Sequence, residues 1–246
     1  MENKTIDYND INIVYEDNHL LVAVKPQNVP VAADSSGDDD LLNALKRYLK
    51  DKYDKPGEAY LGLVHRLDRP TGGVMVFAKT SKAAARLQES IKSGDFEKKY
   101  LAVTTSIPKD KKGVLKNALY KDEATNTVYC VPLATEGAKL AVLDYNTLET
   151  RQSLALLEIR LYTGRSHQIR VQLRTIGCPI FGDLKYGQGK SPEGYDMALW
   201  ATEIRFTHPT TKEKLVFRVY PPKEEVPWKF FDINTKLSIK MENTLS

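Results

Sequence analysis

The run Val74-Met75-Val76-Phe77-Ala78 constrains this chain more than any other segment. Consecutive apolar residues leave no polar face, so the segment suits a strand covered on both sides inside a sheet. Directly before it stands His65-Arg66-Leu67-Asp68-Arg69-Pro70-Thr71-Gly72-Gly73, the densest polar cluster in the chain. Its proline and paired glycines place it on a loop at the strand entrance. A fold built on this strand must carry a charged loop at the lip of its core.

Around that strand the pattern reads as mixed. Residues 11–24 suit two short strands about a Glu-Asp-Asn turn. Asp40 to Lys52 suits a helix with Leu41, Leu42, Leu45 and Leu49 on one side and acidic residues at its start. Lys55-Pro56-Gly57 breaks the chain. Ser81 suits an N-cap for a helix to Ser93 that carries Ala84, Leu87 and Ile91 and stops at Gly94. Lys99 to Thr105 reads as a strand, residues 106–150 as short strands and turns, and Leu154 to Tyr162 as a further strand. Ser166 suits the cap of a helix to Ile176, with Ile169, Leu173 and Ile176 inward and Gly177 at its end. Many strands with few helices and no regular βαβ alternation predict the α+β class. A single domain is expected over 11–232, with tails at 1–10 and 233–246.

Composition narrows the function classes. The 246 residues are 41% hydrophobic and 28% charged, which excludes global disorder. No apolar stretch approaches the ~20 residues of a membrane span, and Met1 to Thr5 has no apolar signal region, so a cytoplasmic protein without a membrane partner is expected. Cys130 and Cys178 stand far apart, so neither a disulfide framework nor a cysteine zinc site is expected. The net charge of +4 is unevenly spread: residues 1–60 hold 7 basic and 12 acidic groups, residues 61–116 hold 12 and 5. That basic middle is a candidate polyanion face; charge alone suits a solvated surface equally.

Three clusters carry candidate chemistry. Asp68, between two arginines, can serve as nucleophile, general base, metal ligand or ion-pair partner. In Thr163-Gly164-Arg165-Ser166-His167-Gln168-Ile169-Arg170, Arg170 and Arg174 are four residues apart on a helix flank and form a guanidinium pair suited to carboxylate or phosphate. In Phe96-Glu97-Lys98-Lys99-Tyr100, Tyr100 begins a strand, where half-buried packing is the usual role. The four histidines lack metalloprotease spacing, and phosphate-loop, dinucleotide and serine-elbow glycine patterns are absent. Asp183 and Asp196 are further carboxylates that nothing in the sequence ties to Asp68.

Together these residues resemble the RluA-type pseudouridine synthases. The resemblance rests on His65-Arg66-Leu67-Asp68, Thr71 and Gly73, then Ala78-Lys79-Thr80, then Glu97-Lys98-Lys99-Tyr100-Leu101-Ala102. It continues through Thr163 to Val171, Gly177-Cys178-Pro179-Ile180-Phe181-Gly182-Asp183, and Phe206 to Thr210 with Val216-Phe217. It spans about residues 11 to 230. Gly72 stands where serine is common, and Gln172 where histidine is common.

The resemblance implies a bent, mixed β-sheet flanked by helices and loops, with the active cleft across it. It implies isomerisation of uridines in structured ribosomal or transfer RNA to pseudouridine, with no cofactor and no metal. Asp68 becomes the reactive carboxylate, Arg170 its charge partner, and Tyr100 the aromatic group against the target base. The target base leaves its stack, and Arg66 fills the vacated place. His65, Arg165, His167 and Ile169 are further substrate-binding residues by the same match, and residues 79–116 become a phosphate-binding rim. Many relatives carry an RNA-binding domain before the catalytic one; strands beginning near Ile11 imply its absence here. A monomer with RNA as partner and no obligate protein partner is expected. The other reading of the same residues is an RNA-binding or RNA-folding protein with secondary or lost catalysis; a nuclease using a metal on Asp68 and Asp183 is a weaker third.

Overall fold

The computed structural model describes residues 5–187 and 189–242. In chain order its strands are β1 (Ile13–Glu16), β2 (Leu20–Lys25), β3 (Gly62–Leu63), β4 (Gly72–Ala78), β5 (Glu97–Thr104), β6 (Lys112–Asp122), β7 (Thr127–Val131), β8 (Lys139–Arg151), β9 (Leu154–Leu161), β10 (Leu199–Thr207) and β11 (Lys214–Arg218). The α-helices are α1 (Leu41–Lys52), α2 (Ser81–Ser93), α3 (Gln168–Thr175) and α4 (Ile233–Glu242). Strands predominate and no βαβ alternation runs through them, which is the α+β class expected. No helix among the described residues is long and apolar enough to cross a membrane. The chain divides into two compact units, residues 1–98 with 201–219, and residues 99–200 with 220–246.

The first unit is built on β4. All seven β4 residues are buried. β2 runs antiparallel beside it with Val22 opposite Val76, β10 lies next to it, and β1 and β11 extend the order by antiparallel pairing with β2 and β10. Val74, Val76 and Ala78 share a core with Leu20, Val22, Ala83, Leu87, Phe96, Ile204 and Phe206. Met75 and Phe77, which alternation sends to the other face, are also fully buried. Each such side chain contributes about 1.5–3 kcal/mol by leaving water. Phe96 stacks on Phe206 at 5.1 Å, and Phe206 and Tyr15 both pack against Phe217.

The helices of this unit start where capping chemistry directs. The Asp40 carboxylate accepts the Asn43 N–H at 2.9 Å and starts α1. For α2 the cap is Thr80, whose hydroxyl accepts the Ala83 N–H at 3.1 Å, one residue before the expected Ser81. Gly94 ends α2 at φ 86°. Glu16 sits under α1, where its carboxylate accepts hydrogen bonds from Tyr48, Lys52, Tyr53 and Lys79. Burial pushes its pKa up, but those four donors outweigh it and hold the group at about 2.

The second unit holds the strand order β5-β9-β8-β6-β7, with β9, β8, β6 and β7 paired antiparallel in turn. β6 and β8 are long ladders of 11 and 13 residues, not the short strands expected over 106–150. Their inward residues Leu119 and Ala141 meet Val128, Val171 of α3 and Tyr186. Their outward residues, Val114, Tyr120 and Leu140, remain exposed. Gln172 projects from α3 to the sheet, and its amide donates to Leu115 O, Ala141 O and Asn117 Oδ1. Residues 233–242, read from sequence as part of a tail, form α4 with Ile233 and Leu237 buried.

Gly73 takes a positive φ of 127°, and a Cβ there would lie 2.2 Å from the backbone oxygen of Ala201. A side chain would force β4 and β10 apart as well as strain the backbone. Gly73→Ala is therefore expected to lose about 3 kcal/mol or more. Urea unfolding of the purified variant, or its failure to accumulate as soluble protein, checks this.

Candidate active site

The loop between β3 and β4 is anchored from both ends. β3 pairs Gly62 with Ala78 and Leu63 with Phe77, then leaves the ladder. The Val76 N–H that the next rung would have served donates instead to His65 Nε2 at 3.2 Å. The imidazole thus ends the strand and takes over a sheet bond, its ring packed 5.5 Å from Phe96. An accepting Nε2 puts the neutral ring's proton on Nδ1, which is buried without a hydrogen-bond partner. Burial, with Lys98 adding repulsion, pushes the His65 pKa down to about 3.

The far end of the loop is held by Lys25, a residue not singled out by its sequence context. Lys25 is completely buried at the end of β2. Its ammonium donates to the carbonyls of Pro26 at 2.8 Å, Val29 at 2.6 Å and Arg69 at 2.9 Å, one acceptor for each proton. Asn28, at φ 62°, turns the 26–29 segment around it. Gln27 Nε2 donates to Pro70 O at 3.1 Å and Arg69 Nε to Asn28 O at 3.2 Å, so the two segments are joined repeatedly. Burial lowers the Lys25 pKa to about 7; nearby Asp68 opposes that fall and Arg69 adds to it. Between these anchors, the Thr71 N–H closes a turn on Asp68 O at 2.9 Å. Asp68 is half-buried there and Arg66 is exposed. His65, Arg66 and Asp68 therefore share one short, clamped loop.

The other expected residues lie in the second unit. Tyr100 on β5 is 6% exposed. Arg170 on α3 is 7% exposed, not on an open flank, and is not displayed as a surface pair with Arg174. Its Nε and Nη2 each donate to an Asp183 oxygen at 2.8 Å, and its guanidinium lies 4.8 Å from the centre of the Tyr186 ring. Asp183 Oδ1 also accepts the N–H groups of Lys185 and Tyr186. Gly182 makes this turn possible: it holds φ 76°, and a Cβ would lie 2.3 Å from Asp196 O.

The start of α3 differs from the sequence expectation. His167, at φ 50°, stands at the N-cap without a side-chain cap bond, and the helix begins at Gln168 rather than after a Ser166 cap. Gln168 organises the approach instead: its Oε1 accepts from Thr163 Oγ1 and the Arg165 N–H, and its Nε2 donates to Val142 O. His167 Nδ1 lies 2.6 Å from the Tyr186 hydroxyl, which also accepts the Val128 N–H. Arg165 is exposed and donates to Leu140 O, while Ile169 is 4% exposed within the helix packing. Lys25 and Tyr186 are the site-supporting residues missed from sequence, and Asp183, which stands in the matched motif, was not tied to Arg170. Asp183 had a signal: an arginine on a helix buried all round needs a carboxylate.

Two predictions follow from the clamped loop. Lys25→Met removes the buried donor shared by the Pro26, Val29 and Arg69 carbonyls and is expected to lose about 2–4 kcal/mol in urea unfolding. For His65, the unfolded chain takes up a proton near pH 6.5 that the folded chain refuses until about 3. Stability is complete above pH 6.5 and falls as pH drops toward 3, by up to about 1.4 kcal/mol per unit. Unfolding at pH 7 and pH 5 checks this: the loss is expected to shrink by about 2 kcal/mol in His65→Gln, which accepts a hydrogen bond but does not titrate there.

Comparison with known proteins places the chain in a family. A family model described as RNA pseudouridylate synthase matches residues 19–175. The uncharacterized RNA pseudouridine synthase YlyB of Bacillus subtilis is 33% identical over 218 residues, 87% of this chain and 70% of that protein. Ribosomal large subunit pseudouridine synthase D of Vibrio cholerae is 32% identical over 230 residues, 88% of this chain and 69% of that protein. Among solved structures, human RNA Pseudouridylate Synthase Domain Containing 4 superposes with a TM-score of 0.72 at 26% identity, covering 87% of this chain and 89% of that one. With its clamped His-Arg-Leu-Asp loop and these matches, the chain belongs to the RluA-type RNA pseudouridine synthase family.

Proposed function

We propose that Asp68 is the reactive carboxylate of an isomerase that converts uridine in RNA to pseudouridine. Family membership supplies the reaction: the bond from the uracil ring nitrogen to the anomeric carbon breaks, and a bond from carbon 5 to the same carbon forms. The carbon 5 proton leaves and the ring nitrogen gains one, so no oxidant, reductant or energy source is consumed. The observation that carries the role of Asp68 is the double clamp on its loop. His65 and Lys25 hold the segments on either side, so a half-buried carboxylate is presented without losing chain entropy at each turnover.

The remaining roles follow from chemistry and family match. Asp68 supplies the nucleophile. Tyr100 lies against the base and takes the carbon 5 proton. Arg170, itself oriented by the Asp183 fork, balances the charge of the reactive carboxylate. Arg66, exposed on the same loop, fills the gap left by the flipped uridine, and its planar guanidinium can stack there. His65 and Ile169, whose side chains are turned inward, act on substrate through the loop and helix they hold; Arg165 and His167 flank α3 where RNA would pass. Relatives named for the ribosomal large subunit favour ribosomal RNA as substrate.

The test is tritium release from ribosomal RNA labelled at uracil carbon 5. Wild-type protein is expected to release tritium, and Asp68→Asn to lose more than about a thousandfold in turnover. Filter binding on the same RNA is expected to show the variant still bound. Turnover retained by Asp68→Asn overturns the assignment.

A further inference from the structure

The residue after Asp68 combines a locked backbone with a partly exposed side chain. The Arg69 carbonyl accepts the buried Lys25 ammonium at 2.9 Å. Its guanidinium is 40% exposed at the loop rim and is occupied by the segment Asp34 to Asp38. Nη1 donates to Ser36 Oγ at 3.0 Å and lies 3.7 Å from Asp34 Oδ2, while Nη2 pairs with Asp38 Oδ2. Two carboxylates and a hydroxyl thus surround one guanidinium with oxygens, as a phosphate group would.

The acidic segment is a closed loop held at its base and within its tip. Its base is pinched where the Leu41 and Leu42 N–H groups donate to Pro30 O and Val31 O at 3.0 Å. The Asp39 carboxylate is held separately by Arg47 and the Ile6 N–H. The tip is held together internally: Asp34 accepts from the Ser36 hydroxyl and N–H, and Gly37 turns it at φ 74°. Between Lys25 and Lys46 the sequence contains no lysine or arginine, so the tip's negative charge is met by groups outside it. Arg66 also lies within Coulombic reach of Asp34, after Ser36 and Arg69 among the influences that lower its pKa. Exposed pairs of this type are weak and readily exchanged.

We propose that Arg69 is a ligand for a backbone phosphate of the substrate RNA, and that the Asp34–Asp38 segment occupies it until that phosphate displaces it. This rests on reading the Asp68 loop as the site of RNA modification. The exchange gives selectivity: an RNA that brings a phosphate to Arg69 releases the acidic tip, and one that does not meets two carboxylates beside the reactive loop. The trade also frees Arg66 from the field of Asp34 as the base it replaces is drawn out.

The test uses full-length protein and in vitro transcribed ribosomal RNA tritiated at uracil carbon 5, with binding by filter retention across a salt series. Arg69→Gln is expected to weaken binding about tenfold and to reduce the slope of log K against log salt by ~0.7–0.9, one phosphate contact. Arg69→Lys is expected to keep the slope. Asp34→Asn with Asp38→Asn is expected to tighten binding about fivefold, and to have no effect when combined with Arg69→Gln. If Arg69→Gln does not fold, the Asp34→Asn/Asp38→Asn arm decides alone. Unchanged affinity and salt slope in the variants, with only a lowered unfolding midpoint, would overturn the proposal in favour of a structural clamp. Failure of the wild type to release tritium while the binding cycle behaves as expected would instead count against the catalytic reading, leaving the phosphate exchange supported.

Discussion

One buried ammonium holds the loop that carries Asp68. Burying an unpaired cation costs several kcal/mol, so Lys25 is tolerable only where each of its protons has an acceptor. The three acceptors are carbonyls from two chain segments that are far apart in sequence. The 26–29 turn and the Arg69 peptide therefore cannot move independently: displacing either leaves a buried amino group short of an acceptor. Backbone geometry beside Asp68 is set by this requirement, with His65 setting the other end through the Val76 N–H.

The second unit solves the same problem with different residues. Arg170 is buried on a helix that has no exposed flank in its first two turns. Its charge is met by Asp183 in a two-bond fork and its plane by Tyr186. The same tyrosine hydroxyl holds His167 and receives the Val128 N–H, so it links the helix start to β7. Gly182 lets the chain pass close enough to residue 196 to put Asp183 there. The helix begins at an αL histidine without a side-chain cap; Gln168 and Tyr186 fix the chain's entry instead, through Thr163, the Arg165 N–H and Val142 O on one side and the His167 ring on the other.

What the sequence made legible follows from how local each determinant is. β4, α1 and α2 were readable because an unbroken apolar run, an aspartate before leucines and a glycine after a helix act over a few residues. Thr80 and Ser81 are chemically equivalent caps, so the choice between them fell to tertiary packing. β6 was not readable as a long strand, because Val114 and Tyr120 on the open face erase the alternation that Leu115 and Leu119 would have made visible. The His-Arg-Leu-Asp loop was legible as chemistry through its family resemblance. Lys25 was not, because nothing local distinguishes a lysine that ends a strand in solvent from one folded back into the core. Asp183 stood in the matched motif, but its partner is 13 residues away and is visible only once α3 is buried.

The positive charges of the first unit divide by whether they can leave their partners. Lys25 cannot, since its acceptors are carbonyls of the chain itself and water does not reach it. Arg69 can, since it reaches the surface and exposed ion pairs exchange at little cost, and Arg66 beside it is exposed. The reaction proposed above, in which a base is drawn out of RNA, needs both kinds within a few residues: a carboxylate that does not shift as the polyanion arrives, and cations that do. Chain order meets this need economically. Asp68 lies between two arginines whose side chains are available to exchange partners, while the peptide of the second is fastened to Lys25. Rigidity is carried by the backbone and responsiveness by the side chains, so one loop can hold the Asp68 carboxylate still while its charges are rearranged.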